Sequence, residues 1–329
     1  MADYPKPSLT TDAVVLAGQG SRMALLLIRR DRAPFEGGLA LPGGFLDPYE
    51  RPLRACLREL REETGLALTA QAAALSLRTK RGRDPRGWTV SQPFVFHLPE
   101  PLAVRAGDDA REAFWQPLAE LDRLAFDHGA ILCEALGRFW NPMPGAAAHL
   151  KPIRCFGEPA AYSRCYTFYG GSFNPWHRGH LQCILECPSD SRVIVVPDGN
   201  PFKAPGERAC YWHAYRRIQD CVASAEAVVF PGFFGIEGPN PTVTWFPWVD
   251  AQQRGLLMGD DSFASLPDWI RAETLIAAAD HLYVVPRDAS TSALDRSRQW
   301  LSRTNPSCRL RFLPDHPFRD LSSSSMRRG

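Results

Sequence analysis

The stretch GFLDPYERPLRACLRELREETGL, Gly44–Leu66, decides the reading of the first half of the chain. Leu53, Cys56, Leu57 and Leu60 recur at i, i+3, i+4 and i+7, which predicts an amphipathic helix over Arg51–Thr64 that ends at Gly65. Glu59, Glu62 and Glu63 repeat at helical spacing on another face. Like charges that close repel, costing an isolated helix roughly a few tenths of a kcal/mol per pair. A hard divalent cation reverses that cost, because Mg²⁺ takes carboxylate oxygens and water and bridges phosphate oxygens. The competing reading is a solvated acidic face, the usual fate of a charge run. The carboxylate cluster predicts a metal site that works on a phosphate-containing substrate.

Gly44, Glu50, Arg58, Glu59, Leu60, Glu62, Glu63, Gly65 and Leu66 all stand where the Nudix box has them, and the segment resembles a complete box of the Nudix hydrolases. The resemblance implies that Glu59, Glu62 and Glu63 are the ligands of Mg²⁺ or Mn²⁺. It also implies that Glu50 and Arg58 form an ion pair fixing the loop to the helix. FEGGLALPGGF before the box, RDPRGW at Arg83–Trp88, GDDAREAFW from Gly107 and LAFDH up to His128 are similar to the ADP-ribose pyrophosphatase branch, and most of residues 10–140 is covered. The reaction so implied is attack of a metal-activated water on a diphosphate, splitting ADP-ribose into AMP and ribose 5-phosphate. Asp108, Asp109 and Glu112 are alternative candidates for a base or additional ligand. Arg83 and Arg86 read equally as an exposed basic loop or as a grip on substrate phosphate. From resemblance alone, this half is expected to be a mixed-sheet α/β/α sandwich.

A second constellation follows the short apolar run Tyr166–Tyr169: GGSFNPWHRGH, Gly170–His180, leading into LQCILEC. Strand, glycine turn and helix start let backbone N–H groups approach phosphate oxygens at the positive end of a helix. Single histidines are more often ordinary residues, but His177 and His180 are three apart beside that turn. The string resembles the signature of the nicotinate and nicotinamide mononucleotide adenylyltransferases, nucleotidyltransferases with an HxGH motif. The resemblance implies that Gly170, Gly171, Ser172 and Phe173 lie at the nucleotide and that His177, His180, Lys203 and Arg327 hold phosphates of ATP. The mononucleotide's phosphate attacks the α-phosphate of ATP and releases pyrophosphate, with positioning and charge neutralisation carrying the reaction.

Other pieces fall in that family's order. VIVVPDGNPFK, Val193–Lys203, reads as a buried parallel strand with a following loop, LLMGDDSF puts Asp261 on the family's aspartate, and LYVVPR is a further strand. LSSSSMR, Leu321–Arg327, resembles a phosphate-binding serine motif that would use Ser322, Ser323 and Ser324, although a serine run taken alone reads as a low-complexity tail. Three departures stand out: the segment between His180 and Val193 is short and interrupted by Pro188, the fit at Thr242–Trp245 is loose, and the chain stops two residues after Arg327, where the family continues. Trp245 and Trp269 read as core residues or as a stack for a pyridine ring.

With 329 residues and 45% hydrophobic content, the chain has room for two domains with proper cores. The proline-rich stretch NPMPGAAAHLKPIRCFGEPAAYS separates them, giving residues 1–145, a linker over 146–163, and 164–329. The second part alternates short apolar strands with longer crossovers, which predicts a Rossmann-like, doubly wound parallel sheet with ligands at the carboxyl ends of its strands. AVVLAGQGSRMALLLIRR reads as two strands around a Gly18–Gly20 turn. A net charge of +2 gives no reason to invoke nucleic acid or a membrane, and no run of about 18 apolar residues is present. Nine cysteines without CxxC pairs argue against a disulfide framework and for a reducing, cytoplasmic setting, with Cys183 and Cys187 as buried thiols rather than zinc ligands.

The combined expectation is a bifunctional enzyme of NAD metabolism, whose partners are ADP-ribose, ATP and nicotinate or nicotinamide mononucleotide. GGSFNP leans toward the nicotinate type. Family analogy adds a homodimer. The alternatives are an ADP-ribose or nucleotide sensor, and a Nudix hydrolase whose second half only binds nucleotide.

Overall fold

Ten consecutive residues of TTDAVVLA and its flanks form β1 (Ser8–Ala17), and from Ala13 to Ala17 every side chain is fully buried. Burial on both faces follows from alternation: Val14 and Leu16 enter one core cluster, while Ala13, Val15 and Ala17 enter another. The computed structural model describes residues 5–69, 71–107, 110–140, 143–144, 153–158, 163–198, 211–236, 239–318 and 321. The first sheet is mixed. β2 (Ala24–Arg30) and β4 (Gly43–Phe45) run antiparallel to β1, and β3 (Leu39–Ala40) runs antiparallel to β2. β5 (Ala73–Ala74) flanks β7 (Phe94–Leu98), which with β6 (Thr89–Ser91) lies parallel to β1, and β8 (Ala110–Pro117) pairs β2 with a register shift at Arg29/Arg30.

Helix α1 (Pro52–Thr64) begins with proline in its first turn and ends at Gly65, whose φ of 68° is the left-handed conformation glycine adopts without strain. Its buried face is Ala55, Cys56, Leu60, Glu63 and Thr64. That face is rotated from the expected one: Leu53 is 38% exposed, and Glu63 sits on the inner side because its carboxylate accepts a backbone hydrogen bond there. Helix α2 (His128–Gly137) covers the opposite side of the sheet, and all ten of its residues are buried. An apolar helix buried all round needs neighbours on every side.

The second domain provides them. Its strands β9 (Cys165–Gly171), β10 (Arg192–Pro197), β11 (Val228–Val229), β12 (Gln253–Gly259), β13 (His281–Val285) and β14 (Arg309–Phe312) are all parallel. They stand in the order β11-β10-β9-β12-β13-β14, a doubly wound sheet whose direction of winding reverses between β9 and β12. The connections carry α3 (Arg178–Leu185), α4 (Tyr211–Val222), α5 (Asp260–Ser265), α6 (Ala272–Ala277) and α7 (Thr291–Thr304). The eight-residue α3 accounts for the short crossover before Pro188.

One apolar cluster runs through both domains. Trp140 meets Phe230 with ring centroids 5.4 Å apart, Trp212 Nε1 donates to the Leu121 carbonyl at 2.8 Å, and Arg216 Nη1 donates to the Leu118 carbonyl at 2.9 Å. The described part of the proline-rich connection is packed as well: Cys155, Phe156 and Glu158 are buried, and Gly20 N donates to Arg154 O at 2.8 Å. Among the described residues no helix is long and apolar enough to cross a membrane.

Candidate functional sites

A cavity of about 400 Å³ opens where β1, β4 and α1 meet. Arg58 organises its rim. Its Nε and Nη2 donate to the two Glu50 oxygens at 3.1 and 2.9 Å, Nη1 donates to Glu59 Oε1 at 2.8 Å and Glu62 Oε2 at 3.0 Å, and Nη2 also reaches the Phe45 carbonyl at 3.0 Å. The Glu50–Arg58 pair thus ties the loop to the helix. The Glu50 hydrogen bonds strengthen the guanidinium's hold on its proton, and the same bonds keep the Glu50 carboxyl below its ordinary range.

Glu59 and Glu63 both line the cavity. Burial pushes the Glu59 carboxyl up, more than Arg58 pulls it down, and the charges of Glu62 and Glu50 add to the rise. Gly44 makes room for it: a Cβ there would stand 2.5 Å from the Glu59 carboxyl carbon. Glu63 Oε2 accepts from Gly43 N at 2.8 Å, and Gly43 is pressed so close to β1 that a Cβ would stand 2.2 Å from the Thr11 carbonyl oxygen.

Glu62 is elsewhere. Its side chain is 57% exposed, pairs with Arg58 and is not a wall of the cavity. Helical geometry explains the split: at about 100° per residue, position 63 lies about 40° from position 59 and position 62 about 60° to its other side. Among the described residues no three His, Cys, Asp or Glu side chains are gathered into a metal-binding cluster. The pair that does face inward offers hard oxygen donors, and Glu59 is a desolvated carboxylate incompletely offset by its cation. Such a donor set fits a divalent cation.

Beneath the carboxylates, Asp12 is a buried hub. Its Oδ1 lies 3.2 Å from His128 Nε2, its Oδ2 accepts from Ser91 Oγ at 2.5 Å, and Arg83 Nη2 is 3.6 Å away. Leu41 N donates to His128 Nδ1 at 2.9 Å, which places the ring proton on Nε2, facing Asp12. Arg83 is buried rather than exposed: it lines the cavity and spends its fork on Asp127 at 2.8 and 3.0 Å. Arg86 is half exposed, bound to Asp84 at 2.7 Å, and lies over the rings of Phe45 and Phe126 at 5.1 and 5.7 Å. Arg30 reaches the same Phe126 ring at 5.0 Å, and burial together with Arg86 weakens the hold of its guanidinium on the proton.

Asp12, Arg30 and Phe126 are the residues sequence reasoning missed here. Asp12 had a signal, a lone charge leading an apolar strand; Arg30 and Phe126 had none beyond their quoted neighbours. Glu112 is bound to Arg29 at 2.8 Å and is not a wall of the cavity. Asp108 and Asp109 lie outside the described residues.

In the second domain the described residues of the expected site follow β9 and β12, the two strands between which the winding reverses. Gly170 and Gly171 end β9, Ser172 follows, and Phe173 packs on Tyr169, Trp176 and His180 at 5.0–5.3 Å. His177 caps α3, its N donates to His180 Nδ1 at 3.3 Å, and the two imidazoles stack with centroids 3.6 Å apart. Both ring nitrogens of His177 are buried without a hydrogen-bond partner among the described residues, and burial, then Arg287, lowers its pKa. Orphaned buried polar atoms cost folding energy and commonly mark a ligand's place.

Gly259 ends β12, and Asp260 and Asp261 open α5 directly after it. Asp261 sits so close to Gly259 that a Cβ on the glycine would be 2.3 Å from its Oδ1. Buried Asp260, which the sequence did not single out, accepts from Arg287 N at 2.8 Å, and its Oδ1 has no partner among the described residues. Trp245 is core, against Phe168 at 5.4 Å, and Trp269 is partly buried with its Nε1 donating to Ser265 Oγ. Cys183 is a buried thiol and burial pushes Cys187 up to about 12. Lys203, Ser322, Ser323, Ser324 and Arg327 lie outside the described residues.

The geometry defines a mixed-sheet domain with a carboxylate cavity joined to a nucleotidyltransferase-like parallel domain. The family model described as NUDIX domain matches residues 6–135. An ADP-ribose pyrophosphatase of Methanocaldococcus jannaschii is 37% identical over 129 residues, covering 39% of this chain and 73% of the relative. The ADPR responsive transcriptional repressor NtrR of Acinetobacter baylyi is 31% identical over 144 residues, covering 43% and 57%. A probable nicotinate-nucleotide adenylyltransferase of Roseiflexus castenholzii is 31% identical over 169 residues, covering 48% and 81%. The chain belongs to the Nudix family through its first domain and to the nicotinate-nucleotide adenylyltransferase family through its second.

Proposed function

We propose that the protein is a bifunctional enzyme of NAD metabolism. Its first domain hydrolyses ADP-ribose to AMP and ribose 5-phosphate; its second transfers the adenylyl group of ATP to nicotinate mononucleotide, releasing pyrophosphate. The observation that carries the reading is the pair Glu59 and Glu63 facing one cavity, with Arg58 holding the helix to the Glu50 loop.

Glu59 and Glu63 would hold Mg²⁺ or Mn²⁺, with Glu62 at the rim able to join once released from Arg58. The cation would supply charge neutralisation at the diphosphate and a more acidic bound water. The chain's own groups do the rest. Arg30 and Arg86, which converge on Phe126, present positive charge to a diphosphate, and Asp12 with His128 fixes the cavity floor. In hydrolysis the water oxygen bonds to one phosphorus while that phosphorus loses its bridging oxygen to the departing phosphate. In the second domain, His177 and His180 at the start of α3 stand where ATP phosphates reach both imidazoles and helix-start amides.

Purified protein given ADP-ribose and Mg²⁺ is expected to form AMP and ribose 5-phosphate. ATP with nicotinate mononucleotide is expected to form dinucleotide and pyrophosphate. Similarity to an ADPR responsive repressor favours a second reading, a sensor. Tight ADP-ribose binding with no AMP formed would select it, and ATP binding without dinucleotide would reduce the second domain to a binding module. No disulfide joins cysteines among the described residues, which fits a reducing compartment, and we place the protein in the cytoplasm.

A further inference from the structure

We infer that the second domain sets the geometry of the first domain's cavity, with Arg78 and Gly235 as positioning residues for the hydrolysis proposed above, on which this inference rests. The contact begins at Gly235. A Cβ placed there would lie 2.5 Å from the Ala130 Cβ and 2.9 Å from the Ala130 carbonyl oxygen, so the second domain's backbone touches the first turn of α2. Two residues earlier in that helix is His128, which accepts from Leu41 N and faces Asp12 in the cavity wall.

Arg78 joins Gly235 to the same cavity by a second route. Its Nη1 donates to Gly235 O at 2.7 Å, and Nη2 is ion-paired with Glu134 of α2, both side chains being almost fully buried. Glu134 Oε1 in turn accepts from Ser76 N and Ser76 Oγ at 2.8 Å. Arg78 also exchanges backbone hydrogen bonds with Ser91 at 2.8 and 3.1 Å, and Ser91 Oγ donates to Asp12. Both routes therefore end on the Asp12–His128 pair, one through α2 and one through β6. A packed, hydrogen-bonded chain of this kind can carry a displacement from one end to the other, and small displacements of a site from afar are costly for catalysis.

Gly235→Ala tests this while keeping every charge in place. The added methyl must push the first turn of α2, and kcat for ADP-ribose hydrolysis is expected to fall about tenfold or more with KM nearly unchanged. Adenylyl transfer and the circular dichroism spectrum are expected to stay as in the wild type. Gly232→Ala is the comparator, because its methyl crowds the same interface away from His128, meeting the Phe230 ring at 2.4 Å and Gly137, at the far end of α2, at 2.9 Å. It is expected to leave the hydrolase within about twofold of wild type, as a contact remote from His128. Arg78→Lys, which keeps a charge opposite Glu134, is expected to retain more hydrolase activity than Arg78→Met.

Wild-type kcat in Gly235→Ala overturns the inference. So does an equal loss of both activities in Gly235→Ala and Gly232→Ala, which marks an interface that only stabilises. If the wild type forms no AMP, the hydrolase reading fails by itself, and the nuclear magnetic resonance signal of the His128 ring becomes the readout. A shifted signal in Gly235→Ala but not in Gly232→Ala then supports the positioning role, and an unshifted one in both defeats it.

Discussion

The two sites treat their polar groups in opposite ways. In the first cavity three arginines already have carboxylate partners: Arg58 in Glu50, Glu59 and Glu62, Arg83 in Asp127, Arg86 in Asp84. In the second domain the two ring nitrogens of His177 and one oxygen of Asp260 have no partner among the described residues. A saturated network fixes positions before the substrate arrives, and its function lies in what the arranged carboxylates recruit. An unsaturated site, by contrast, stores its cost in orphaned atoms that a ligand relieves.

If the sites are chemically separate, each should fail alone. Glu63→Gln keeps an oxygen for Gly43 N but removes the charge, and ADP-ribose hydrolysis is expected to fall by roughly 100-fold or more while adenylyl transfer stays unchanged. His180→Ala is expected to lower dinucleotide formation about 100-fold, the scale of losing one preorganised donor, with hydrolysis intact. Product analysis of both reactions on each variant checks this, and a single substitution that silences both reactions would merge the two sites into one.

Stability probes the frame under the first cavity. Leu60→Ala is expected to cost about 2–5 kcal/mol in denaturant unfolding, whereas Leu53→Ala should fall within about 0.5 kcal/mol of wild type. Equal costs would contradict the rotated face of α1. A smaller effect concerns acid. Burial raises the Asp12 carboxyl, but His128, Arg83 and Ser91 outweigh it and hold the group below its ordinary value of 3.8. A carboxyl depressed in the fold adds stability that is present above the ordinary value and lost as pH falls through the folded one. Melting temperatures of wild type and Asp12→Asn should therefore differ at neutral pH and converge below pH 3.8; parallel curves would break the argument.

Much of this was legible because it was local. Helical period and the stop at Gly65 placed α1, and the glycine turn before His177 placed α3. What stayed hidden depended on partners far along the chain. Arg83 is withdrawn from the loop surface by Asp127, forty-four positions on. Leu53 lost its place in the buried stripe once Glu63 took the inner face under Gly43. Glu62 kept its helical position but was drawn to Arg58, and α2 is buried all round only because a second domain lies against it.

The most direct test is a Mn²⁺ titration followed by electron paramagnetic resonance, with a non-hydrolysable ADP-ribose analogue present, on wild type and on the Glu59→Gln, Glu63→Gln double variant. Retention of Mn²⁺ by the wild type and its loss in the variant is the expected result. Equal Mn²⁺ binding by both proteins, or none by either, would contradict the claim that these two carboxylates hold the cation on which hydrolysis depends.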